Sequence, residues 1–140
     1  MRKVIVGSTV LGTALLACIF WLRAQSQSSE PQYAMTTYYV GFLYRGPEWT
    51  PQPTPELEQL QKDHLAHIRR MADSGKLLLA GPFMDDTDLR GMLVFQTATL
   101  EEARAMAEDA PAVKAGRLKV ELHPWFSAKG IRVDLTPKGQ

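Results

Sequence analysis

Three histidines, one cysteine and a cluster of aspartates are the residues of this chain with chemistry to offer, and His64 is the sharpest of them. It stands four residues after Leu60 and four before Ile68, so a helix through this stretch carries its imidazole on the apolar stripe instead of the solvent side. A histidine placed there loses hydration, and its pKa and tautomer are set by whatever it meets. Two roles are open to it: a general acid/base, or a satisfied histidine of the core. His67, three residues on, flanks the stripe; with no Glu or Cys at ligand spacing to complete a set, the pair is weak ground for a metal site. Asp85, Asp86 and Asp88 lack the EF-hand spacing and its distal Glu, and read either as a solvated acidic turn or as a source of one carboxylate for a pocket. His123, beside Pro124 and Trp125, either lines a pocket or fills a sheet edge. There is no GxSxG, P-loop or GxGxxG, so the chemistry read here calls on no cofactor.

The elements that must position these groups follow from periodicity. Thr36 to Tyr44 is rich in aromatic and β-branched residues and apolar on both alternating faces, as a central strand requires. Arg45 to Pro55 is broken by prolines and predicts a long loop, either a lid over a site or a plain surface connection. Thr54 as N-cap, Pro55 at the first helical position and Glu56 and Glu58 in the first turn open a helix. Its buried stripe is Leu57, Leu60, His64, Ile68 and Met71, and Gly75 is its left-handed stop. Lys76 to Ala80 and Gly91 to Thr97 predict a strand pair joined by the polar segment Phe83 to Arg90. Thr99 and Glu102 form a capping box for a second helix, which Pro111 ends near Asp109. Pro111 to Gly116 predicts a turn of irregular or helical kind, Arg117 to Phe126 a fourth strand that Pro124 ends or bulges, and residues 128–140 a loose tail.

The order is βαββαβ, the ferredoxin-like arrangement: an α+β fold with a four-stranded antiparallel sheet and two helices on one face. A first strand apolar on both sides leaves the other sheet face in need of cover. A second copy packed sheet to sheet, giving a homodimer, is the economical solution.

The first 30 residues are a separate segment. Arg2 and Lys3 precede the uncharged run from Val4 to Leu22, whose nineteen residues come close to spanning the roughly 30 Å hydrocarbon core of a bilayer. Cleavage after a small-x-small site at Ala24 to Ser26 would make it a signal peptide; left uncleaved, it is a membrane anchor with Trp21 at the interface. A lipid on Cys18 is a third option. Each places the domain outside the cytoplasm, in the periplasm or anchored facing outward, because two charges before the run outweigh Arg23 after it. As Cys18 is the only cysteine, the domain has neither thiol nucleophile nor disulfide. From Glu30 onward thirteen basic residues meet fifteen acidic ones, so no nucleic-acid surface is indicated.

Several separated blocks carry a resemblance: His64 to His67, Gly75 to Pro82, Pro111 to Arg117, and His123 to Trp125. In this order and spacing, over residues 36–127, the chain resembles the YCII-related family. The resemblance implies a dimeric α+β barrel, a His–Asp pair as active site, a small-molecule substrate, and kinship with a dehydrochlorinase acting on a chlorinated hydroxyhydroquinone. His64 matches the family histidine. The family aspartate stands directly before the proline of the third block, where this chain has Ala110; Asp109 lies one residue earlier. One helical position is about 100° of rotation, so Asp109 meets His64 only if the turn is locally shifted. Three functions follow as expectations: a cofactor-free acid/base enzyme, with His64 and Asp109 catalytic and Asp86, Asp88 and His123 near the pocket; a catalytically silent dimeric accessory domain; and a phosphoacceptor at His64.

Overall fold

The computed structural model describes residues 32–133, so the N-terminal signal or anchor reading lies outside the described residues. Within them no helix is long and apolar enough to cross a membrane. Four strands and three helices follow one another as β1 (Met35–Arg45), α1 (Pro55–Asp73), β2 (Leu77–Pro82), β3 (Leu89–Phe95), α2 (Leu100–Glu108), α3 (Pro111–Lys114) and β4 (Leu118–Ala128). The sheet order is β2-β3-β1-β4, antiparallel throughout, which is the ferredoxin-like order.

β1 is central, and its alternation sorts the apolar residues into two clusters. Tyr39 and Leu43 face the helices and join Leu93, Phe95, Leu77 and Leu122 with Met71 of α1 and Ala103 and Ala107 of α2. Tyr38, Val40 and Phe42 face the other way and join Val94, Met92 and Leu78. The helix ends are built as their residue types require. The Thr54 hydroxyl accepts from Leu57 N at 3.3 Å, and Gly75 turns the chain at φ 72°. Thr99 accepts from Glu102 N at 3.1 Å, while the Glu102 carboxylate reaches one residue further back than a capping box predicts, to Ala98 N.

Several boundaries differ from expectation, among them β3, which runs Leu89–Phe95 instead of Gly91 to Thr97. β2 continues through Gly81 and Pro82, which pair with Met92 and Gly91; β2 is an edge strand, where a proline without N–H is tolerated. β4 likewise runs through Pro124 without a bulge against β1, on the opposite edge. The segment after β4 is no loose tail over its first residues. Lys129 N donates to Ala34 O at 2.7 Å, Gly130 N and Ile131 N donate to the Tyr38 hydroxyl at 3.0 and 3.4 Å, and Ile131 packs onto the outer cluster.

The loop after β1 is tied down by backbone. Gly46 N donates to Arg117 O at 2.9 Å and Glu48 N to Gly116 O at 3.0 Å. A Cβ on Gly46 would overlap the Gly116 carbonyl, so this approach admits only glycine. Gly75 has nothing within 4 Å of an added Cβ and needs only its positive φ. Gly46→Ala is therefore expected to cost about 2 kcal/mol or more through backbone displacement, and Gly75→Ala about 1 kcal/mol. Urea denaturation of the two variants checks the order; equal losses would show that the loop yields freely.

Candidate active site

α1 presents two buried histidines, and they fare differently. His64 and His67 are each only 7% exposed. His67 does not merely flank the stripe: its Nε2 donates to Met106 O at 2.9 Å, and its Nδ1 accepts from Arg70 Nη2 at 3.4 Å. Both nitrogens are thus engaged within the protein, and the first bond joins α1 to α2. His64 Nδ1, by contrast, is buried without a hydrogen-bond partner. Its pKa is held below the ordinary 6.5, first because burial strips the charged form of water and second by repulsion from His67. At neutral pH the imidazole is a neutral base.

The carboxylates expected near it are elsewhere. Asp109 is the C-cap of α2 in ordinary right-handed geometry, without the local shift that a contact with His64 required. It binds Lys114 and lies 4.0 Å from His67 Nδ1, and the Lys114 ammonium foremost holds its carboxyl below the usual range. No contact between Asp109 and His64 forms. Asp86 and Asp88 are solvated, at 94% and 83% side-chain exposure, and pair with Arg45 instead of entering a pocket with His64. His123 lies on the opposite face of the sheet, with its ring 6.0 Å from Phe42 and Nε2 3.3 Å from Glu121. Of the residues expected at the site, the structure places His64 at the helix-side cavity and brings none of the others to it.

That cavity lies between α1 and the ends of the strands and measures about 320 Å³. His64, Gln61 and Ile68 line it from the helix, Leu43, Leu93 and Leu118 from the sheet, and Trp49 and Arg90 at its side. Trp49 was not legible as a site residue, because two of the three arginines around it come from distant places in the chain. The guanidiniums of Arg45, Arg90 and Arg117 lie 5.3, 5.2 and 4.3 Å from the centroids of its indole, within cation–π range. Arg117 also donates to Thr50 O at 3.0 Å. The proline-rich loop is thereby fixed as a wall of the cavity. A lone tryptophan in a loop of prolines, with an arginine four residues before it, was the only signal available from sequence.

The pH dependence follows from the His64 environment. As pH falls through 6.5 the unfolded chain takes up a proton that folded His64 still refuses, so stability is full above this value and is lost below it until the folded pKa is passed. The His64 Cε1 proton resonance is expected to titrate with a midpoint below 6.5, and His64→Leu to flatten the loss of urea stability in that window. A midpoint above 6.5 would contradict the burial described here.

Comparison with known proteins gives the family of the chain. None of the curated proteins compared matches the chain. Among solved structures it is similar to the 5-chloro-2-hydroxyhydroquinone dehydrochlorinase from Burkholderia phenoliruptrix AC1100 in complex with 2,5-dihydroxybenzoquinone, at 18% identity and a TM-score of 0.45, over 63% of this chain and 92% of that one. The family model for the YCII-related domain matches residues 37–125, from Thr37 in β1 to Trp125 in β4. With the strand order, the two-helix face and the histidine of α1 in place, the chain belongs to the YCII-related domain family.

Proposed function

We propose that the helix-side cavity binds a small cyclic or aromatic compound and that His64 moves a proton on it without a cofactor. The observation that carries this reading is that His64 is a neutral, buried base lining a cavity walled mostly by apolar groups and Trp49, with Gln61 and Arg90 as its other polar side chains. In an elimination the imidazole takes a proton from a ring position and the freed electron pair expels a neighbouring leaving group. In an isomerisation the proton is returned at another carbon. Either step needs only one group that accepts and releases a proton. Gln61, one turn earlier on α1 and also lining the cavity, offers both a donor and an acceptor to orient the ligand.

A second reading has its own support. Catalytic histidines are usually oriented through the nitrogen that does not react, and here Nδ1 has no partner while Asp109 is engaged by Lys114 and His67. On that ground the domain binds its ligand and performs no chemistry. A screen of halogenated and hydroxylated monocyclic compounds against wild type and His64→Ala separates the two. Turnover that falls about 10²- to 10⁴-fold in the variant supports acid/base work. Binding of a compound with no turnover in either protein supports the silent reading.

The outer sheet face points to a partner. Val40, Phe42, Met92, Val94, Trp125 and Ile131 line an apolar hollow of about 490 Å³ there, and Trp125 remains 43% exposed. A second copy packed on this face gives the homodimer of the α+β barrel. The N-terminal segment, read as an export signal or anchor, would place that dimer on the outer side of the membrane. Sedimentation of the purified chain is expected to give twice the chain mass, and Trp125→Glu to return the monomer at least tenfold more readily on dilution. A monomeric wild type would remove the dimer.

A further inference from the structure

β3 carries a bulge whose effect falls on the cavity. Leu43 of β1 pairs with Gly91 and Tyr44 pairs with Leu89, so Arg90 is the extra residue, opposite no partner. Residues at even positions further along β3, Met92 and Val94, face the outer cluster. The bulge turns Arg90 away from that alternation, and it lines the helix-side cavity together with Gly91 and Leu93. It is the only charged side chain lining that cavity among the described residues.

Arg90 is braced but not consumed. Its Nη1 donates to Asp85 O at 2.9 Å and Thr87 O at 3.2 Å, and among the described residues no hydrogen bond engages its Nη2 or Nε. Its nearest carboxylate, Asp86, is 4.0 Å away, 94% exposed and already bonded to Arg45. Asp88 is likewise paired with Arg45. The neighbouring acids therefore lie on the solvent side, while Trp49 lies against the guanidinium at 5.2 Å and lines the same cavity. A fixed, half-dehydrated guanidinium with free donors beside an aromatic wall is a receptor for a planar oxyanion.

From this geometry we infer that the cavity selects a small aromatic ligand bearing an anionic oxygen group, with Arg90 receiving that group and Trp49 packing against the ring. The inference rests on the reading of the cavity as a ligand site and adds what distinguishes its ligand. The charge at this end of the ligand and the proton accepted by His64 are then assigned to different residues.

Benzoate, its neutral isostere benzamide, and acetate are the probes, titrated into the full chain while the Trp49 indole and His64 ring resonances are followed. Benzoate is expected to move both sets and to bind at least tenfold more tightly than benzamide or acetate. Arg90→Gln should reduce benzoate affinity at least tenfold and leave benzamide within twofold. Arg90→Lys, which keeps the charge and tests against simple loss of the brace to the hairpin, should retain a preference for benzoate. His64→Ala should keep that preference while losing any turnover. Equal binding of benzoate and benzamide by wild type, or an unchanged ratio in Arg90→Gln, would overturn the inference and leave the cavity a ligand site. Absence of any shift at Trp49 and His64 with all three probes would overturn both readings together.

Discussion

The hydrogen bond from His67 Nε2 to the Met106 carbonyl fixes how α1 is turned on its axis, and the site inherits that rotation. Three residues along a helix are about 300° of rotation, so His64 stands roughly 60° around from His67 on the same buried side. With His67 pinned toward α2, His64 is left over the cavity beside Gln61 and Ile68. The same pin decides where Asp109 goes. As the C-cap of α2, three residues beyond the bonded Met106 carbonyl, it reaches His67 and Lys114 and leaves His64 without a carboxylate. Placing Ala110 at the position where the family resemblance puts aspartate completes this: Ala110 is buried and offers no polar atom from its side chain.

β1 imposes the second constraint. A strand with large apolar residues on both faces can be central only in a sheet covered twice, and the helices of the described residues cover one side alone. The return of Ile131 onto the outer cluster, fastened by two backbone donors on the Tyr38 hydroxyl, covers part of the remainder and leaves Tyr38 1% exposed. Trp125 and Phe126 stay at 43% and 67% exposure among the described residues. The two faces therefore divide the work: the helix side holds the cavity with His64, and the outer side holds surface suited to another molecule.

Much of the scaffold was legible because its signals are local. Thr54, Pro55 and Gly75 bounded α1 within the sequence itself, and alternation in Tyr38 to Leu43 marked β1 as central before any pairing was known. What was illegible depended on contacts between distant segments. His67 sits beside the apolar stripe by periodicity, and only a carbonyl 39 residues away explains its burial. Arg90 looked like the basic end of an acidic connection; a bulge, which shifts one residue against a partner strand, has no signature in a single strand's pattern. Trp49 needed arginines from β1, β3 and the start of β4 to become a wall. The displaced aspartate was visible as a spacing, but its actual partner was not.

The unpartnered nitrogen of His64 bears directly on what chemistry such a site can perform. Leaving a buried polar atom unsatisfied costs on the order of 1 to 3 kcal/mol, and such costs persist in folded proteins chiefly where function maintains them. A histidine oriented by a carboxylate can hold its proton after transfer because the carboxylate stabilises the imidazolium. His64 has no such group, and its surroundings already disfavour the charged form. On the proposed acid/base reading, an imidazolium formed there would have to be stabilised by the ligand, which becomes negative at the instant His64 becomes positive. A ligand charge held at Arg90, as proposed, instead of beside His64 would leave that stabilisation to arise only as the proton moves, so that it would act on the transition state and not on the bound ground state. In a site without the carboxylate, the proposed separation between a cation that binds and a base that reacts is therefore what would allow a neutral histidine to take a proton and release it again.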